Sequence, residues 1–383
     1  MRNSIPSAHG IYLHMPWCAS ICPYCAFYKE LDKGADYSAW LQGVLRDWSH
    51  WQHIFPSKAH SIYFGGGTPS LAPPAILERA IETLPHQEDA EITLEVNPGS
   101  ITADGLSDLH SVGVNRVSLG IQSLEPKVAR FLARGHDAEQ ARTLLAVISK
   151  MNFRSWSVDL MFAIPEQTIE MLDRDIDSIL SAGAPHISLY GLGIEPNTAF
   201  WHLQKRGALK LPDQDRWAEL VDRIRERLGT EGYIQYEISN FSLPGHQAIH
   251  NGSTWQGGTY MGLGPSAHGF APSGLRWQNP ANIDAWLTQP PVNGEFPTPK
   301  EAAVDYLLSS LRHIQGSDLH YMAKRTGHEP SKHHLSELIA NGMLVHEASS
   351  IRLTEKAIPI SDAIVRRLCE GMIQTQPNSS MVQ

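Results

Sequence analysis

Three of the four cysteines in this 383-residue chain fall close together, at Cys18, Cys22 and Cys25. Spacings of three and two intervening residues put three thiols on the inside of one tight loop, one ligand short of a closed four-coordinate metal site. Three such ligands suit an iron-sulfur cubane with one iron left open. The same spacing admits a zinc ion completed by a distant histidine, or unligated core thiols. Disulfide use is disfavoured, because an odd number of neighbouring thiols cannot all pair among themselves. Cys369 stands alone in a helical stretch and reads as a core or surface thiol.

The loop follows the first of six short β-rich runs, expected as strands over 11–14, 60–64, 91–96, 115–119, 155–160 and 186–190. Helical patterns separate them at 74–84, 102–111, 137–150 and 168–182. Ahead of these, Tyr37, Trp40, Leu41, Val44, Leu45, Trp48 and Trp51 recur at helical spacing and draw one apolar stripe suited to core packing. The alternation predicts an α/β fold, a partial parallel (β/α)6-type barrel, although a doubly wound open sheet has the same pattern. Residues 1–195 form the expected barrel core and 196–298 an extension with a helix at 213–228. After prolines 290, 291, 297 and 299, residues 299–370 are expected as a smaller, mainly helical winged-helix-like domain. Its helices fall at 302–312, 318–325 and 333–340, followed by a hairpin at 343–345 and 351–353 and a helix ending near Leu368. Residues 371–383 read as a flexible tail.

Composition narrows the partners. Apolar residues make up 42% and charged residues 19%, so a large core is available and disorder is excluded as the main state. A net charge of −9, with no basic stripe in the C-terminal domain, weighs against nucleic acid, including the reading of an RNA-modifying enzyme. The first residues lack the apolar run of a secretory signal and no stretch reaches the length of a membrane span. The expected setting is the reducing cytoplasm.

Other chemistry-bearing residues stand at the ends of the strands, where barrel enzymes gather their functional groups. Gly65-Gly66-Gly67-Thr68 permits close backbone approach to a small zwitterion, or forms a plain turn. Glu95 is an acid in an apolar run, and acids are seldom buried unpaired. Gln122 both donates and accepts, Asp159 is placed to accept from a ribose or amino group, and Gly193 offers bare backbone. Arg134, beside Gly135, reads locally as a helix C-cap.

The C-x3-C-x2-C loop after a first strand, with Tyr24 inside it and Tyr12-Leu13-His14-Met15-Pro16-Trp17 ahead of it, resembles the radical S-adenosylmethionine superfamily and its coproporphyrinogen III oxidase-like branch. The resemblance spans nearly the whole chain. It implies that Cys18, Cys22 and Cys25 bind three irons of a 4Fe-4S cluster and that S-adenosylmethionine chelates the fourth. Reduction of that sulfonium then releases methionine and a 5'-deoxyadenosyl radical. The cofactor contacts carried over are Tyr12, Tyr24, Gly66, Gly67, Thr68, Glu95, Gln122, Arg134, Asp159 and Gly193, with a flavodoxin or ferredoxin as electron donor.

Within the branch, the oxygen-independent oxidase has a further cysteine two residues after the third and a longer N-terminal extension. This chain has Phe27 there and 17 residues before Cys18. Both departures match the HemW-type heme chaperones, whose loop reads C-x3-C-x2-C-x-F; Ala26 replaces their usual Asp. Their H-N-x-x-Y-W pattern appears as His250-Asn251-Gly252-Ser253-Thr254-Trp255, with Thr254 for the tyrosine. A histidine can ligate heme iron and a tryptophan can wall the macrocycle, so His250 is the candidate heme contact. The resemblance implies binding of heme and transfer to an acceptor protein; oxidative decarboxylation of coproporphyrinogen III is the alternative.

Overall fold

A computed structural model describes residues 8–133, 135 and 137–374. Strands β1 (Gly10–Met15), β2 (Ala59–Gly66), β3 (His86–Val96), β4 (Arg116–Gln122), β5 (Ser155–Phe162) and β6 (His186–Gly191) pair in parallel, in sequence order. Helices α1 (Tyr37–Trp51), α2 (Pro74–Thr83), α3 (Ala103–Ser111), α4 (Pro126–Leu132), α5 (Ala138–Ile148) and α6 (Ile169–Ser181) lie in the crossovers. This strand order decides between the two architectures. A doubly wound sheet reverses direction at a switch point, whereas steady progression through right-handed crossovers keeps the helices on one face. The fold is a partial parallel barrel.

Side chains alternate across each strand with period two. Ile11, Leu13, Ile62, Phe64, Ile92, Leu94, Val117, Leu119, Val158, Leu160, Ile187 and Leu189 all join the main hydrophobic core. The helices meet them with Trp40, Leu41 and Val44 of the α1 stripe, Leu77 and Ile81 of α2, and Leu172 and Ile176 of α6. Each fully buried side chain of this size contributes about 1.5–3 kcal/mol. The intervening positions are polar: Tyr12, His14, Ser61, Tyr63, Thr93, Glu95, Ser118, Ser157, Asp159, Ser188 and Tyr190. The sheet therefore has an apolar back under helices and a polar inner face.

Beyond β6 the sheet adds two antiparallel strands, β7 (Ile234–Gln235) and β8 (Asn240–Ser242). On the other side β9 (Tyr260–Leu263) pairs in parallel with β1 and leads into antiparallel β10 (His268–Phe270) and β11 (Arg276–Gln278). The order is β11-β10-β9-β1-β2-β3-β4-β5-β6-β8-β7, open at both ends among the described residues. Buried Asp47 of α1 ties this extension down. Its Oδ2 accepts from Asn279 Nδ2 and Trp286 Nε1, both at 2.8 Å, and from the Gly264 backbone at 3.2 Å.

A second hydrophobic cluster, including Ala303, Leu307, Met322, Leu338, Ile351, Val365 and Leu368, supports the C-terminal helices. The expected hairpin is present as Leu344–Glu347 against Ser350–Leu353, joined by Ser317–Asp318 in the manner of a winged helix. Cys369 packs beside this cluster and burial raises its thiol pKa. The expected tail needs correction at its start. Met372–Gln374 pairs antiparallel with His328–Pro330, gaining backbone hydrogen bonds that a free tail lacks; residues 375–383 lie outside the described residues.

Candidate cofactor site at the strand ends

The cysteine loop leaves β1 through Trp17–Cys18, which pairs in parallel with Glu30–Leu31. Its two limbs are fastened by Glu30 N donating to Pro16 O at 2.8 Å and Asp32 N donating to Cys18 O at 2.9 Å. Between them a tight turn brings Cys25 N to Cys22 O at 3.3 Å, and Lys29 Nζ donates to Cys25 O. The three thiols form no disulfide and are partly exposed. His14 braces the loop from the inner face. Its Nε2 donates to Tyr28 O at 2.9 Å, which leaves Nδ1 to accept from Tyr12 OH at 3.0 Å. Burial lowers the His14 pKa to about 4, keeping this relay neutral.

The glycine turn lies directly against that loop. Gly67 N donates to Met15 O and Thr68 N to Trp17 O, each at 2.7 Å. Gly66 has φ +113°, and a Cβ at Gly67 would lie 2.6 Å from the Pro16 backbone, so both positions require glycine. Thr68 Oγ1 accepts from Asn97 Nδ2 at 2.9 Å. Glu95 joins turn and inner face: Oε1 accepts from Tyr63 OH at 2.8 Å and Oε2 from Gly66 N at 3.2 Å. Burial, reinforced by the Glu95 charge, raises the Tyr63 pKa and keeps its proton available for this bond.

On the next strands, Asp159 accepts from Ser118 Oγ at 3.0 Å, and Ser118 in turn accepts from Ser157 Oγ at 2.9 Å. Gln122 closes β4 in a left-handed conformation, φ 66°. The turn after it is held by buried Asp175, which accepts from Ser123 Oγ at 2.6 Å and Leu124 N at 2.7 Å. Gly193 follows β6 exposed, and the nearest atom to an added Cβ there is Glu195 Oε1 at 3.9 Å. Tyr24 packs 6.2 Å from Phe200, whose backbone N–H donates to Pro23 O at 3.0 Å. Arg134 lies outside the described residues, although a Cβ on its neighbour Gly135 would come within 2.5 Å of Ser20 Oγ in the cysteine loop.

His250 is placed elsewhere. It lies at the opposite, N-terminal end of the inner face, 7% exposed, with Nδ1 bonded to Ser61 Oγ at 2.9 Å and its ring 5.2 Å from Tyr63. Its helix, Ile249–Trp255, starts on a buried acid: Glu91 accepts from the Ile249 and His250 backbones at 3.0 and 3.1 Å. Arg116 Nε stands 3.9 Å from the same carboxylate and its Nη1 donates to Ser155 Oγ at 2.9 Å. Ser61, Glu91, Arg116 and Ser155 form a polar floor around His250 that sequence reasoning missed, as it missed His14, Tyr63 and Asp175 at the other end. The polar alternation of the six strands was the available signal.

The donor set fits the expected cofactors. Three thiols outside any disulfide share one loop, and the bare backbone of Gly193 leaves room at the same end of the sheet as Thr68, Glu95, Gln122 and Asp159. A parallel sheet with this constellation defines the radical S-adenosylmethionine class, and residues 12–179 match the Radical SAM superfamily. Membership of that superfamily implies a 4Fe-4S cluster and S-adenosylmethionine. The chain is 30% identical to "Heme chaperone HemW" of Lactococcus lactis over 94% of its own length and 97% of that protein. It is 36% identical to the protein of the same name from Escherichia coli, over 68% of this chain and 69% of that one. The chain belongs to the HemW heme chaperone family. Its fold is that of "Coproporphyrinogen III oxidase (HemN) from Escherichia coli", with a TM-score of 0.79 at 20% identity, covering 95% of this chain and 91% of that one.

Proposed function

We propose that this chain binds heme and transfers it to an acceptor protein, with the strand-end site tuning that transfer. The observation that carries this reading is the near full-length relationship to heme chaperones in a loop that has Phe27, 69% exposed, where the oxidase has its further cysteine. Cys18, Cys22 and Cys25 would hold the cluster, which supplies one-electron reduction when bound. A reducing, cytoplasmic setting would keep these thiols reduced, and a flavodoxin or ferredoxin would serve as donor.

The chain's own residues then do defined work. Gly66, Gly67 and Thr68 present backbone and hydroxyl to the methionine end of S-adenosylmethionine. Glu95 accepts from its amino group while Tyr63 and Gly66 fix the carboxylate. Asp159, Gln122 and Gly193 would serve the nucleoside, and Tyr12, Tyr24 and Arg134 would complete the set. For heme, His250 would bind iron through Nε2, its Nδ1 being held by Ser61. Burial lowers its pKa to about 3, so the ring would be a neutral ligand, though at 7% exposure it would meet iron only if the helix Ile249–Trp255 moved off the floor.

The oxidase reading is tested directly. Reduced, cluster-loaded protein incubated anaerobically with S-adenosylmethionine and coproporphyrinogen III is expected to form no protoporphyrinogen; sustained turnover would overturn the carrier assignment.

A further inference from the structure

The C-terminal module contains a cluster that the strand-end site does not use. The helix Lys332–Ala340 brings His333, His334 and Glu337 together so that one ligand atom of each lies within 4.8 Å of the others. His333 is exposed and the other two are half-buried, so the group opens to solvent without being loose. The two rings stand 5.5 Å apart between centroids.

Two further observations point to a ligand. His334 Nδ1 is buried and has no hydrogen-bond partner among the described residues. A nitrogen in that state costs free energy unless something accepts or shares its lone pair or proton. Room for the ring exists only because residue 371 is glycine: a Cβ there would lie 1.9 Å from the same Nδ1.

Charge is already arranged around the carboxylate. Arg367 Nη2 donates to Glu337 Oε2 at 2.6 Å and holds the carboxyl below its ordinary range. The same guanidinium reaches Glu370 Oε2 at 3.2 Å through Nη1. A positive group thus already engages Glu337, with a second acid within its reach.

We propose that His333, His334 and Glu337 form a binding site for a late first-row divalent cation such as Zn²⁺. Two imidazoles and one carboxylate are the N/N/O donor set such ions favour, and three protein ligands leave at least one position for water. The cation and the Arg367–Glu337 bridge compete for one carboxylate. Occupancy therefore shifts Arg367 to Glu370 and loosens the link between the helices Lys332–Ala340 and Ser361–Glu370.

Co²⁺ is the probe, added to the cluster-loaded full chain. Binding at this site gives nitrogen- and oxygen-type ligand-field bands without a thiolate-to-cobalt charge-transfer band, which separates it from the cysteine loop. His333→Ala and His334→Ala should each weaken binding by about tenfold or more. Arg367→Ala should tighten it severalfold by freeing Glu337, a change of sign that a purely structural bridge does not produce. Circular dichroism confirms that each variant is folded. Binding unaltered by the histidine substitutions, a thiolate charge-transfer band, or no saturable binding would each overturn the proposal.

Discussion

Replacing Gly66 and, separately, Gly193 by alanine gives opposite expectations for fold and ligand. At Gly66 the backbone has φ +113°, where an L side chain is strained by about 1–3 kcal/mol. The new Cβ would also lie 2.6–2.9 Å from three atoms of the His14 ring. That ring cannot yield freely, because Tyr12 OH and Tyr28 O hold both of its nitrogens. Overpacking of this kind adds about 1–3 kcal/mol, so Gly66→Ala should lose roughly 2–6 kcal/mol of stability. At Gly193 the nearest atom is 3.9 Å from the added methyl, and the fold should change by no more than about 0.5 kcal/mol. If S-adenosylmethionine seats against this backbone, however, the methyl occupies ligand space and affinity should fall about tenfold, or 1.4 kcal/mol. Urea unfolding measures the first quantity, and equilibrium dialysis of cluster-loaded protein the second. Wild-type stability in Gly66→Ala would refute the steric argument, and wild-type affinity in Gly193→Ala would remove Gly193 from the pocket.

Three other outcomes follow from the same geometry. Tyr63→Phe removes one bond that fixes Glu95 and should weaken S-adenosylmethionine binding by about fivefold, roughly 1 kcal/mol, with the fold intact; unchanged affinity would show that Glu95 does not depend on Tyr63. Burial raises the Asp175 pKa from 3.8 to about 6, against the opposing bonds from Ser123 and Leu124. The folded state thus keeps this proton where the unfolded chain loses it, so the group's contribution to stability falls by about 3 kcal/mol as pH rises from about 4 to about 6 and is level above. Asp175→Asn should lack that slope, and parallel pH profiles for the two proteins would contradict the assignment. Cys18→Ser should lose iron and sulfide after anaerobic reconstitution; full retention of both would exclude Cys18 as a ligand.

Much of the scaffold was legible because it rests on local rules. The α1 stripe buries Trp40, Leu41, Val44 and Trp51 as its spacing requires, and the six strands carry the β-branched and aromatic runs that marked them. The cysteine loop and glycine turn were visible because their residue types are restrictive and contiguous. What escaped was long-range pairing. Asp47 meets Asn279 and Trp286 more than two hundred positions away, and nothing near residue 47 announces it. His250 illustrates a different gap: its motif named a histidine able to bind iron, but only the packing of Glu91, Ser61 and Tyr63 around it reveals a floor position. Met372–Gln374 looked like the start of a polar tail because its partner, His328–Pro330, is remote in sequence. The polar inner face was written in the strands as alternation, yet each strand contributes only one or two of its residues.

Heme titration of the purified, cluster-loaded chain, followed by its Soret band, tests the central claim most directly. A heme carrier should show a saturable, stoichiometric Soret shift that persists when excess free heme is removed. A spectrum that only tracks free heme, with nothing retained, would contradict the account.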